Sequence, residues 1–193
     1  MKRENVICVP LEALNSFFDL SKQFWRVEKE TLNSLPYMFE GRQQAEKDFN
    51  RKQLIPYALL HNKRGEVLCY QRHGSEKRLS DIYSVGIGGH VNDGDVGDSL
   101  FQRLVSGLKR EFSEEIGLTV PEERFELVGM INEDYSEVGH CHIGVVFSVV
   151  VGEEKMLFNE EIGNPRWSGI EELDLSKFEL WSSLALRLWK SVR

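Results

Sequence analysis

"LKREFSEEIGL", residues 108–118, sets one arginine and three glutamates in what the pattern predicts to be a single helix. On a wheel of about 100° per residue with Glu111 at zero, Leu100, Phe101, Leu104, Val105, Leu108, Phe112 and Ile116 span roughly −20° to +140°. Gln102, Ser106, Lys109 and Ser113 take the opposite side, so the helix already has a solvated face. Glu114, Glu111 and Glu115 fall near −60°, 0° and +40°. Two of them lie inside the apolar arc and the third sits at its edge.

Carboxylates crowded at the border of a buried stripe repel one another and lose hydration. Arg110 can bond Glu114 at i, i+4, but one arginine cannot neutralise three glutamates. A divalent cation can, and clustered hard oxygens suit Mg²⁺ or Mn²⁺ better than zinc. Gly107 shares the Glu111 and Glu114 side of the helix. A glycine there costs about 1 kcal/mol relative to alanine. It is either simply tolerated or present so that a loop backbone can come close, and the pattern does not choose.

Working outward, the helix is predicted from about Ser99 to Ile116, with Asp98 or Ser99 as cap and Gly117 as stop. Before it stand the glycine-rich "YSVGIGGHV" (residues 83–91) and "NDGDVGD" (residues 92–98). The second reads as a solvated loop, since it lacks the spacing of a calcium loop. "LIPYALLH" and "EVLCYQR" flank "NKRG" as a hairpin, with Pro56 placing the first strand's start at an edge or a strand entrance. "RFELVGMIN" and "HCHIGVVFSVVV" are two further strands. In the second, Ile143, Val145, Phe147, Val149 and Val151 share one face, and His140, His142, Gly144, Val146 and Ser148 share the other. "SKFELWSSLALRLWKSV" is an amphipathic C-terminal helix with Phe178, Trp181, Ala185, Leu188, Trp189 and Val192 on its stripe. Near the start, "NVICV" reads as a strand, Leu11 to Trp25 as partly helical, and residues 26–52 as charged and irregular. The expected class is α/β (α+β), an α/β/α sandwich around a mixed β-sheet. Residues 1–52 are expected to be an extension packing on a main domain of residues 53–193.

The chain of 193 residues with 41% hydrophobic content has enough material for one substantial core. A net charge of −7 without a basic tract argues against long nucleic acid as a partner. A small phosphorylated ligand remains compatible, because a bound cation reverses the local field. Cys8, Cys69 and Cys141 are far apart and form no C-x-x-C, which points to a reducing compartment rather than a disulfide framework or a zinc site. No run is long enough for a signal peptide or a membrane span. The expectation is a cytoplasmic protein with no membrane partner. A homodimer contact through residues 1–52 is open.

"GGHVNDGD…KREFSEEIGL" resembles the Nudix box, G-x5-E-x7-R-E-U-x-E-E-x-G-U, where U is bulky and apolar. Gly89 matches the first glycine, and Arg110, Glu111, Phe112, Glu114, Glu115, Gly117 and Leu118 fill the second half without a gap. Two departures stand out. The acid that follows Gly89 after five intervening residues is Asp95, and fourteen residues rather than seven separate it from Arg110. The resemblance implies a Nudix-like fold over residues 53–193. It implies a metal-dependent hydrolase that cleaves a diphosphate linkage in a nucleoside-diphosphate-type substrate by water attack on phosphorus. By position, Glu111, Glu114, Glu115 and the carbonyl of Gly88 would ligate Mg²⁺ or Mn²⁺, and Arg110 would hold the glutamates. Glu111, Glu115 and Arg110 are then the catalytic candidates. Arg72, Arg78, Glu133, Asp134 and His142 are the candidate substrate contacts. The general base is open among Glu111, Glu133, Asp134, Glu137, Glu160 and Glu161. Two alternatives share the fold: a catalytically silent nucleotide-binding module or regulator, and an isopentenyl-diphosphate-type isomerase needing a cysteine near the pocket.

Overall fold

The helix carrying the charged stretch starts where Ser99 accepts a hydrogen bond from the Gln102 amide at 3.3 Å. It stops at Gly117, whose φ of 60° lets the chain turn in the left-handed region. These are the limits of α4 in a computed structural model that describes residues 4–73 and 82–193. In chain order the elements are β1 (Asn5–Pro10), α1 (Leu11–Phe17), β2 (Phe24–Arg26), α2 (Lys29–Asn33), β3 (Met38–Gly41) and α3 (Arg42–Ala45). Then come β4 (Arg51–His61), β5 (Val67–Arg72), β6 (Tyr83–Ser84), β7 (Gly86–Gly88), α4 (Leu100–Ile116) and β8 (Phe125–Ile131). α5 (Glu137–Cys141), β9 (His142–Val150), β10 (Ile162–Ser168) and α6 (Leu180–Ser191) complete the order.

The sheet runs β10-β5-β4-β9-β8-β2, with β4 and β9 parallel and the other pairs of that path antiparallel. It is a mixed sheet covered on both faces. Ile143, Val145, Phe147 and Val149 of β9 pack toward Leu104, Leu108 and Phe112 of α4 in one core. Val146, from the alternate face, packs with Leu184, Ala185 and Leu188 of α6 in a second. The α/β/α arrangement agrees with β9 being buried on both faces.

The β4–β5 hairpin opens immediately after its turn. The two strands pair only at His61 and Val67. Further on, β7 pairs with Tyr57–Leu59 of β4, and β6 pairs with Tyr70 and Gln71 of β5. Residues 83–88 therefore wedge the hairpin apart and deliver the glycine-rich segment to the edge of α4.

Three local expectations change. Pro56 lies inside an eleven-residue β4, not at its start. Its missing N–H is tolerated in the stretch between the β1 pairing at residues 51–53 and the β7 pairing at residues 57–59. His140 belongs to α5 and not to the strand. Residues 26–52 hold α2, β3 and α3, each of four or five residues, too short for a periodic signature.

The amino-terminal elements are built into this frame. β1 pairs with β4 and β3, and β2 extends the sheet beside β8. Ile7, Val9, Leu14 and Leu32 sit in the same core as α4. The Asn33 side chain accepts the Phe101 amide at 2.9 Å, satisfying a free N–H in the first turn of α4. No helix of the described residues is long and apolar enough to cross a membrane.

Candidate active site

Glu111 and Glu115 are half-buried and Glu114 is exposed, the order the helical wheel gives. Glu111 rests against the glycine segment: a Cβ on Gly89 would come within 2.4 Å of its carboxylate. The glycine is there because the strand end and the carboxylate occupy adjoining space. Gly107 serves a similar approach one turn earlier. A Cβ there would lie 2.9 Å from Val91 and 3.4 Å from the Asp95 carboxylate, so it is loop side chains, not loop backbone, that its bareness admits.

Asp95 is the exception to the solvated reading of its loop, whose other residues are exposed or half-exposed. It is 4% exposed and takes two bonds from Arg110, Nε to Oδ1 at 3.1 Å and Nη2 to Oδ2 at 3.0 Å. It also accepts the Asn92 amide. Arg110 gives its remaining donors to the His90 carbonyl at 2.8 Å and to Glu111 at 2.7 Å, with Glu114 farther off at 3.6 Å. The i, i+4 pairing expected from sequence is thus the weakest of its contacts. Sequence offered one signal for Asp95, its place after Gly89 with five residues between.

Glu115 lines a cleft of ≈ 570 Å³ together with Gly88, Gly89, Tyr57, Tyr70 and Arg72. Burial, reinforced by the charge of Glu111, pushes its carboxyl up to about 8. Burial also lifts Glu111, against the opposing pull of Arg110. Two carboxyls that resist ionisation in the bare protein fit a position meant for a cation, and their hard oxygens fit a divalent one. Among the described residues no three acidic, histidine or cysteine side chains already converge as a metal cage.

At the cleft's inner end, Glu179 accepts hydroxyl bonds from Tyr57 at 2.8 Å, Ser84 at 2.7 Å and Ser182 at 3.1 Å. Its other oxygen faces the Arg72 guanidinium at 3.5 Å. At the other end His142 lines the wall with His90, their Nε2 atoms 3.2 Å apart. Burial lowers both, His90 to about 4. The sequence reading missed Glu179 and His90, because no motif links residues so far apart in the chain.

The other candidates sit elsewhere. Glu133 is 5% exposed and caps the turn that follows it, accepting the amides of Tyr135 and Ser136. Asp134 pairs with Lys52 at 2.6 Å. Neither lines the cleft. Arg78 lies outside the described residues. Cys8, Cys69 and Cys141 are buried free thiols raised by burial, and none lines the cleft.

No family model matches the chain. Protein YmaB of Bacillus subtilis (strain 168) is 30% identical over 154 residues, covering 75% of this chain and 74% of that protein. The crystal structure of Tm1382, a proposed Nudix hydrolase, is 28% identical and aligns at a TM-score of 0.81 over 98% of this chain and 100% of that one. The chain belongs to the Nudix hydrolase family. The same fold, at lower identity, recurs in the MutT protein from Methanosarcina mazei Go1, with a TM-score of 0.55, 22% identity, and coverage of 72% of this chain and 94% of that one. It recurs also in the Nudix domain of Shewanella oneidensis NrtR, crystallised with ADP-ribose, at 0.55, 16%, 73% and 88%. Within this Nudix chain the lengthened box keeps its second half on α4. The acid before the insertion folds back as the buried partner of Arg110.

Proposed function

We propose that the chain is a divalent-metal-dependent pyrophosphohydrolase that cleaves the diphosphate linkage of a nucleoside-diphosphate-type substrate. One observation carries this reading: Glu111 and Glu115 lie half-buried beside Gly88 and Gly89 at the cleft, while Arg110 is committed chiefly to Asp95. The acids therefore lack a full counter-charge among the described residues. Glu111, Glu114, Glu115 and the Gly88 carbonyl would hold Mg²⁺ or Mn²⁺. When bound, the cation would screen the phosphate charge and lower the pKa of the attacking water. Arg110 would keep the Glu111 carboxylate aimed at the cleft, as a partner behind the ligands. Arg72, half-exposed across the cleft from Glu115, would take a phosphate oxygen.

The test is a metal-dependent hydrolysis screen over ADP-ribose, NDP-sugars, dinucleoside polyphosphates, NADH, coenzyme A and nucleoside triphosphates. Turnover should require Mg²⁺ or Mn²⁺ and fall by about 10²-fold or more in Glu115→Gln. Tight binding without product across the panel would favour the silent binding module instead.

A further inference from the structure

Beyond the glutamates the cleft runs to a wall carried by α5. Val138, from α5, and His142, the residue after it, line the cleft together with Ile55 and Trp181. Val138 is an exposed apolar side chain on a helix of only five residues. A helix that short does not hold its shape or place unaided. Part of the shape is local. Glu133 accepts the amides of Tyr135 and Ser136, and Ser136 caps α5 by accepting the Gly139 amide at 2.9 Å. These bonds close the segment on itself without attaching it to the sheet.

Lys52 of β4 makes the attachment. By strand alternation it shares the face of Leu54, which lies in the α4 core, and points away from the face of the cleft-lining Ile55 and Tyr57. From behind the cleft its ammonium donates to the Asp134 carboxylate at 2.6 Å, the Gly139 carbonyl at 2.6 Å and the His142 carbonyl at 3.4 Å. All three of its donors are used, and they grip the segment before and after Val138. Lys52 is almost wholly buried, while its one carboxylate partner is half-exposed. A buried ammonium is a costly way to stabilise a fold, and an apolar side chain of similar size often serves as well or better. What an apolar side chain cannot do is fix three acceptors of one segment at set points.

We propose that Lys52 is a positioning residue for the cleft: it clamps residues 134–142 from behind the sheet and so holds the Val138 wall where the group beyond the diphosphate binds. The inference rests on the pyrophosphohydrolase reading. Lys52 touches no substrate in this scheme and acts through α5. Its loss leaves the Glu111, Glu115 and Arg72 end of the cleft intact and frees the far wall. The clamp therefore serves the part of the substrate that differs from one diphosphate to another, and not the diphosphate itself.

The probes are methylenediphosphonate and the α,β-methylene analogue of ADP-ribose, whose bridging carbon blocks turnover. Each is titrated calorimetrically into the full chain in magnesium buffer. In Lys52→Met the ADP-ribose analogue should bind about tenfold more weakly, as for a wall in place about a tenth of the time. Methylenediphosphonate, too small to reach the wall, should keep its affinity. Asp134→Ala removes only the half-exposed partner, so it carries the test if Lys52→Met does not fold. It should weaken the analogue about threefold, again without touching methylenediphosphonate. Amide exchange over residues 133–141 should quicken in both variants. Unchanged affinity for the analogue, an equal loss for methylenediphosphonate, or a wild-type chain that does not bind the analogue overturns the positioning role. Metal-dependent hydrolysis of another diphosphate by such a chain would leave the pyrophosphohydrolase reading standing. The expected split without hydrolysis of any panel member would keep the clamp, as part of a binding cleft, and overturn the hydrolase reading.

Discussion

Arg110 and Asp95 form a two-bond ion pair that ties the loop before α4 to the helix it precedes, at 3.1 Å and 3.0 Å. Asp95 is almost wholly buried, while Arg110 keeps 30% of its side chain exposed. The pair fixes the guanidinium's orientation, and that orientation presents Nη1 to Glu111. The lengthened box therefore does not cost the site its geometry. The acid before the insertion is still used, as an anchor for the arginine.

Asp95→Asn keeps the shape and removes the charge. It should lower unfolding stability by about 1–3 kcal/mol, the range for a hydrogen bond to a charged group, reduced here because Arg110 is partly solvated. Arg110→Lys keeps the charge but not the planar fork. Its metal-dependent turnover should fall more than its stability does, since Glu111 loses its guide. Urea melts and single-substrate kinetics separate the two effects. An Asp95→Asn protein that melts at the wild-type urea midpoint would contradict the anchoring role.

Gly89→Ala tests the contact between the strand end and the box. The added methyl would meet the Glu111 carboxylate, which must then swing away from the cleft. The atoms displaced are the far end of a flexible side chain rather than backbone, so circular dichroism should stay that of the wild type. Turnover should drop by at least about tenfold, with the metal requirement shifted to higher concentration. Wild-type metal dependence in this variant would show that Glu111 does not work from its observed position.

Much of this site could be read from residues 108–118. A 3.6-residue period places Glu111 and Glu115 at the buried border and Glu114 outside, and the structure agrees. Most of the C-terminal stripe and of the two faces of β9 was legible for the same reason, since period and burial are coupled, although Phe178 precedes α6, Val192 caps its end and His140 belongs to α5. The Asp95–Arg110 bond, the Glu179 cluster and the His90–His142 pair were not. Each joins residues from different elements, and nothing local in their sequences marks the partner. The splayed β4–β5 hairpin was likewise hidden: the alternation of both strands is intact, and only the wedge of residues 83–88 shows that they part.

Lys52 and Asp134 supply a pH-dependent prediction away from the cleft. Lys52 is 3% exposed and bonds the Asp134 carboxylate and the Gly139 carbonyl, each at 2.6 Å. Burial alone would raise the Asp134 carboxyl, but bonds from Lys52 and Asn132 outweigh it and hold it below 3.8. A carboxyl depressed on folding stabilises the protein above its unfolded value. That contribution is lost as pH falls below 3.8 and through the folded value. Asp134→Asn should therefore be less stable than wild type at neutral pH, with the difference shrinking on acidification. Thermal melts across pH 2–6, on the order of the carboxylate range, read this directly. A difference that grows toward low pH would be the wrong sign for this pairing.

The part expected of Glu179 runs through Arg72. Its Oε1 collects three hydroxyls, and its Oε2 faces the guanidinium. Glu179→Gln can keep the hydroxyl bonds through its amide oxygen but loses the charge that steadies Arg72. Glu179→Ala loses both and leaves Tyr57, which is almost wholly buried, with only its serine neighbours. The glutamine variant should melt near wild type while KM for the diphosphate substrate rises by about three- to tenfold and kcat changes little. The alanine variant should lose about 1–3 kcal/mol of stability as well. Arg72→Lys supplies the control, because it should reproduce the KM effect without the loss of stability. Should Glu179→Gln leave KM unmoved while Arg72→Lys raises it, Arg72 would be positioned by something other than Glu179.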